Sequence, residues 1–266
     1  MTGAAPALDD GELAAIEDAA LNASAPPQQL WLDGWLVRRC PGKAKRARSV
    51  NAVAAGRLPL ADKLALAEAL YREAGLPMVV RITPFSQPAG LDEALAAAGL
   101  QRFDPTRVLA AELPRMALDA AAPLPAGLRL ERADAETYAR VVGRLRGTPA
   151  DQQQAHAQRL AQSPVPYCGW LLRRQDDDEV IACGQSARQM QWVGLYDVFT
   201  APAARNRGLA GALCAELLRR AAAEGARTAY LQVDAANAPA LAVYRRLGFR
   251  PGYGYHYRAA DPAVCL

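Results

Sequence analysis

The sequence predicts an α/β (α+β) fold of mixed, twisted sheets flanked by helices, and three observations predict it. First, Leu195–Thr200 reads as a strand that breaks at Ala201-Pro202-Ala203-Ala204 and runs through Arg205-Asn206-Arg207-Gly208-Leu209-Ala210 into a helix. There Leu209, Leu213 and Leu217 recur at helical spacing, Leu218 widens the stripe, and Glu224-Gly225 ends it. Second, the strand Thr228–Val233 leads into a short helix from Asn237 that Gly248-Phe249 closes. Third, the same rhythm occurs 149 positions earlier: Gly99-Leu100 matches Gly248-Phe249, Ile82 matches Leu231, and Gly90 matches Pro239. The chain thus reads as two related halves, with chance recurrence of a common strand–helix–strand unit as the alternative.

The remaining elements follow in order. Residues 1–29 give a frayed start and one short helix that stops at Pro26-Pro27. Leu30–Cys40 is a strand pair turning at Asp33-Gly34, and a basic loop spans Lys43–Arg48. Leu60–Ala74 is a helix stopped by Gly75, Met78–Thr83 a buried-type strand, Leu91–Ala98 a helix closed by Gly99, and Arg107–Glu112 a strand. Alanine- and proline-rich Met116–Gly127 reads as a linker, dividing the chain into domains 1–115 and 127–266 with 116–126 between them. The second half continues with the strand Leu128–Arg132, helices Ala135–Arg146 and Asp151–Ser163, and the strand Tyr167–Arg173. An acidic turn at Asp176–Glu179 precedes the strand Val180–Ala187, and a turn near Gln189 leads back to Leu195.

Composition sets bounds. The chain has 266 residues, half of them hydrophobic, enough for one large core or two modest ones. A net charge of +4 gives no argument for a nucleic-acid partner. Five cysteines with no Cys-x-x-Cys pair read as reduced thiols of a cytoplasmic protein. No signal peptide is expected in Met1–Asp10, and no apolar run approaches the ~20 residues of a membrane span. No metal is expected.

The turn before the Leu209 helix carries the first chemical signal. A helix start leaves its N–H groups without partners and carries partial positive charge, so it suits an anion. Gly208 lets backbone approach closely, Ala210 keeps bulk away, and Arg205 and Arg207 add charge. One strand later, Asn237 suits a helix N-cap, and Ala240, Tyr244 and Leu247 share a face.

Arg205, Gly208 and Ala210, followed by Asn237, Ala240, Tyr244, Gly248 and Phe249, resemble two motifs of the GCN5-related N-acetyltransferases (GNAT). The resemblance covers roughly residues 127–258, and it implies tandem GNAT-like domains of which the N-terminal copy is partial and diverged. Ala210 stands where glycine is commoner and Thr200 where valine is usual. The first copy has Leu95 where the second has Tyr244, and Ala54–Pro59 lacks the Arg-x-x-Gly-x-Ala pattern, so one CoA per chain is expected.

What the resemblance implies is acetyl transfer from acetyl-CoA to a primary amine of a small molecule or peptide, by direct attack in a ternary complex. The pyrophosphate would lie on Arg205, Asn206, Arg207, Gly208, Leu209 and Ala210. Thioester and pantetheine would meet Val198, Phe199 and Thr200, with Asn237 and Ala240 completing the cofactor site. Tyr244 would protonate the leaving thiolate, its reference pKa of ~10 lying above the ~8.5 of a thiol. A core tyrosine is the alternative. Asp197 is the candidate base, or else a salt-bridged strand residue. His256 reads as a structural histidine facing away from Tyr253, Tyr255 and Tyr257, and His156 as a helix-surface residue. The cluster Lys43, Lys45, Arg46 and Arg48 either grips an anion or is a solvated loop. A non-catalytic acyl-CoA sensor and an acetyltransferase acting on aminoacyl-tRNA are the competing functions. A monomer is expected, with a homodimer as the alternative.

Overall fold

The computed structural model describes residues 8–40, 44–118 and 121–265. Lys43 and part of the expected linker lie outside them. In chain order the elements are α1 (Asp10–Ala23), β1 (Gln29–Leu32), β2 (Trp35–Arg38), β3 (Val50–Asn51), α2 (Leu60–Glu73), β4 (Val80–Ile82), α3 (Leu91–Ala97) and β5 (Gln101–Glu112). They continue as β6 (Leu128–Ala133), α4 (Ala135–Arg146), α5 (Ala150–Ala161), β7 (Tyr167–Arg174), β8 (Val180–Gln189) and β9 (Trp192–Thr200). Last come α6 (Leu209–Ala223), β10 (Thr228–Asp234), α7 (Ala238–Arg246) and β11 (Arg250–Ala259).

The helices fall close to their expected bounds. Several strands are longer: β5 takes in Asp104-Pro105, with Asp104 at a φ of 50°. β8 and β9 close on the two residues Met190-Gln191, Met190 having a φ of 52°. The five cysteines are free thiols.

The chain folds as two compact units. One contains the described residues through Ala23 with 107–252, the other residues 24–106 with those from 253 onward. These units do not follow the linear division at 116–126. α1 belongs with the later half and the end of β11 with the earlier one, because β5 and β11 each begin in one unit and finish in the other.

In the larger unit the strand order is β5-β10-β9-β8-β7-β6. β6 to β9 form an antiparallel meander, while β9 and β10 are parallel and joined by α6. Strand alternation gives the sheet two apolar faces. On one, Val193, Leu195, Leu231 and Val233 pack with Leu209, Leu213 and Leu217 of α6 and with Leu241 and Tyr244 of α7. Each α6 leucine buried there contributes roughly 1.5–3 kcal/mol. The helix can approach because β8 offers Gly184, whose added Cβ would stand 3.3 Å from Leu217. On the other face, Tyr138 and Val142 of α4 and Leu160 of α5 pack on Leu171 and Cys183.

In the smaller unit the order is β1-β2-β3-β4-β11. Trp35, Val37, Val50, Val80 and Ile82 pack with Ala67 and Tyr71 of α2 and Leu91 and Leu95 of α3. His256 faces α3, its Nε2 lying 2.8 Å from Asp92 Oδ1, while Tyr255 and Tyr257 stack edge to face with centroids 5.6 Å apart.

Glycine in β9 has a packing reason. A Cβ at Gly194 would stand 2.4 Å from the Tyr196 ring and 2.7 Å from that of Tyr230, whose hydroxyls lie 2.9 Å apart. Gly194→Ala is therefore expected to cost about 1–3 kcal/mol, seen as a lower midpoint in urea denaturation with an unchanged slope.

Candidate active site

Two parallel strands come apart at the centre of the larger unit. β9 and β10 pair from Trp192↔Thr228 to Leu195↔Leu231, and then the ladder stops although β9 runs on to Thr200 and β10 to Asp234. The backbone of β9 beyond Leu195 thus keeps its partner β8 on one edge only. Ala201 N–H donates to Ile181 O (2.9 Å), toward β8. Alternation then points the amides of Thr200 and Val198 to the edge β10 has left.

Within this free stretch β9 carries a bulge. Cys183 pairs Phe199 but Gln185 pairs Tyr196, so two intervening residues of β9 oppose the single Gly184. Asp197 absorbs the extra residue at a φ of 54°, in the left-handed region. Since Leu195 faces α6, simple alternation would send Asp197 into the same apolar core. The bulge instead returns Val198 to the α6 face and turns Asp197 and Phe199 toward α4 and α5.

There Asp197 Oδ1 lies 2.5 Å from Arg146 Nη1, and Arg146 Nη2 donates to the Asp197 carbonyl at 3.3 Å. The guanidinium also covers the Phe199 ring, 4.9 Å from its centroid. Asp197 Oδ2 is buried without a hydrogen-bond partner, as is the hydroxyl of Tyr138, a side chain that packs over Gly169. Burial raises the Asp197 pKa, with Arg146 opposing the shift. Burial and then the Asp197 charge push the Tyr138 phenol well up and the Cys183 thiol up to about 12, so both stay protonated. Arg146, Tyr138 and Cys183 escaped the sequence reading because they come from α4 and β8, and nothing in those segments marks them. His156, expected at the surface, is half-buried with its ring 6.3 Å from that of Tyr138.

The turn after β9 leads to an open helix start. Pro202–Ala204 forms one 3-10 turn, then Asn206 (φ 62°) and Gly208 (φ 74°) reverse the backbone into α6. Gly208 stands at the N-cap with no side-chain cap. The first bond back to the turn is Ala212 N–H to Gly208 O (3.1 Å), so the Leu209, Ala210 and Gly211 amides precede the helical ladder. Arg205, Asn206, Arg207 and Gly208 are exposed. Arg205 leans back, its Nε 3.3 Å from Thr200 O and its guanidinium 5.8 Å from the Phe199 ring.

Tyr244 sits on α7, buried edge to face against Phe249 (5.9 Å), in the same apolar cluster as Leu209, Val233, Val198 and Ala240. That cluster joins the end of β9, the start of α6, the end of β10 and α7. Burial and then Cys214 raise its pKa, which keeps the phenol protonated. Asn237 Oδ1 accepts Ala240 N–H (3.1 Å) and so caps α7. Among the described residues, no three His, Cys, Asp or Glu side chains are grouped to hold a metal ion. None of the described helices is long and apolar enough to cross a membrane.

Among the described residues of the smaller unit, the matching helix start is not open in this way. That unit's α2 begins at Leu60, 149 positions before Leu209, so the repeat extends to this helix as well. There the Arg57 and Leu58 amides donate to the Asp33 carboxylate (2.8–2.9 Å), and buried Lys63 binds the same carboxylate at 3.0 Å. Those amide bonds and Lys63 hold the Asp33 pKa down at about 2. The place matching Asn206 and Arg207 is thus filled by a carboxylate of the chain itself, and Leu95 is core where α7 has Tyr244.

Residues 133–249 match the Acetyltransferase (GNAT) family. Over 224 residues it is 26% identical to the uncharacterized N-acetyltransferase YobR of Bacillus subtilis (strain 168), covering 84% of this chain and 89% of that one. Its fold is similar to a GCN5-related N-acetyltransferase from Kribbella flavida (TM-score 0.70, 18% identity, 96% and 97% of the two chains). It is also similar to a tandem GNAT protein from the clavulanic acid biosynthesis pathway (TM-score 0.60, 18% identity, 76% and 70%). Family and relative support acyl transfer as the general activity.

One pH effect follows from the α4–α5 face. Burial first, then Arg159 and Arg146, lowers the His156 pKa to about 3, so the folded protein holds it neutral. The unfolded chain binds its proton below ~6.5, so this stability is present above that pH and lost as pH falls toward 3. Between pH 7 and 5 the loss is at most about 2 kcal/mol, because the ring is only half-buried. His156→Gln is expected to flatten that part of the urea-midpoint profile.

Proposed function

We propose that the chain moves an acetyl group from acetyl-CoA to a primary amine of a small molecule or peptide, within a ternary complex. The observation that carries this reading is the parting of β9 from β10 beside an uncapped helix start. Pantetheine fits the opened edge, where the Val198 and Thr200 amides meet the thioester and pantetheine. The pyrophosphate takes the Arg205–Ala210 turn, on its amides from Asn206 to Ala210, helped by the positive end of α6 and by Arg205 and Arg207.

The chemistry then needs three proton movements: one from the ammonium before attack, one to the leaving thiolate, and one from the nitrogen after attack. An ammonium acceptor gives its proton to Asp197, whose raised pKa suits it to receive one. The amine nitrogen attacks the thioester carbon, a tetrahedral oxyanion forms against backbone N–H, and the C–S bond breaks. Tyr244, kept protonated by burial, gives its proton to the thiolate and takes back the second proton that the attacking nitrogen sheds as it becomes the amide nitrogen. The Asp33 carboxylate, bound to the Arg57 and Leu58 amides, supports one CoA per chain.

The test is a rate assay with acetyl-CoA across a panel of amines. Tyr244→Phe is expected to lower kcat about 100-fold or more while the KM for acetyl-CoA stays within about threefold. Unchanged kcat would remove the acid role. Binding of acetyl-CoA without turnover on any amine would favour the acyl-CoA sensor.

A further inference from the structure

We propose that Arg146 occupies the place of the acceptor's charged nitrogen, so that the site takes a cationic amine which displaces this guanidinium from Asp197. The inference rests on the acyl-transfer reading above and names the chemical class of its acceptor. The Arg146 side chain is 34% exposed and that of Asp197 is 14% exposed. The more exposed partner of this pair is the arginine, at the last position of α4 before left-handed Gly147. Its two contacts, to Oδ1 and to the carbonyl of the bulged residue, are N–H donations that an ammonium can also make.

A buried carboxylate stripped of its partner is costly, so a neutral group cannot take the arginine's place, whereas a cation can. The exchange also suits the chemistry. An ammonium N–H bond breaks, the proton passes to a carboxylate oxygen of Asp197, and the carboxyl is then neutral. A neutral carboxyl no longer needs Arg146, and burial around Asp197 favours that form. The freed lone pair attacks the thioester carbon, the C–S bond breaks and the thiolate leaves with the Tyr244 proton, which the second proton shed by the new amide nitrogen replaces. The Phe199 ring, 4.9 Å from Arg146 and 5.8 Å from Arg205, gives the displaced side chain an aromatic surface to rest on.

The experiment compares the wild type with Arg146→Met, which keeps an apolar stem over Phe199, and with Arg146→Lys, which keeps a cation. The probes are n-butylamine, cationic at neutral pH, and p-toluidine, neutral there. Arg146→Met is expected to lower the KM for n-butylamine about tenfold, and Arg146→Lys to show no such fall. p-Toluidine should gain little, and Asp197→Asn should abolish the gain. A raised KM, or a kcat loss without a KM gain, would make Arg146 a support for Asp197 and overturn the proposal. If none of the proteins turns over either amine, calorimetry with methylguanidinium decides. Binding to Arg146→Met but not to wild type upholds the inference while the acyl-transfer reading falls, and no binding to either overturns both.

Discussion

The extra residue in β9 is the constraint on which the site depends. A strand that pairs on both edges and alternates strictly has no free amides and would bury Asp197 among leucines. By taking Asp197 into the left-handed region, the chain breaks the alternation once. Val198 returns to the core under α6, and Asp197 reaches Arg146 on the other face. The same stretch is where β10 departs, so an unpaired backbone edge and a buried carboxylate come to one place. The local cost of a non-glycine residue at positive φ is on the order of 1–3 kcal/mol, borne by the meander and by α6 packed beneath it.

Electrostatics divides the two units more sharply than topology does. Both have a strand leading to a helix start, and α2 stands to β4 as α6 stands to β10. In the smaller unit the amides before the helix are spent on Asp33, and buried Lys63 balances that carboxylate. In the larger unit the corresponding amides are exposed, with two arginines beside them. Gene duplication followed by internal filling of one anion site would leave this pattern.

The sequence made the helices, the turn at Arg205–Ala210 and the Tyr244 helix legible, because each depends on local spacing and on glycine, proline or asparagine at a cap. The side to which Asp197 points was not legible. A bulge depends on register with β8, and aspartate tolerates positive φ without advertising it. Arg146 and Tyr138 were missed for a related reason: they matter only through a residue some fifty positions away. The surface reading of His156 failed because its helix turns that ring toward Tyr138. The linear domain division differed from the packed units because β5 and β11 are long enough to serve in both.

The central claim is that the opened edge of β9 and the start of α6 form one donor site and that the smaller unit has none. Backbone amide NMR during titration with acetyl-CoA tests it most directly. The account predicts one bound molecule per chain, with the largest shifts at Val198–Thr200 and Asn206–Gly211 and none at Arg57 or Leu58. Two molecules per chain, or shifts centred on the Asp33 loop, would contradict it.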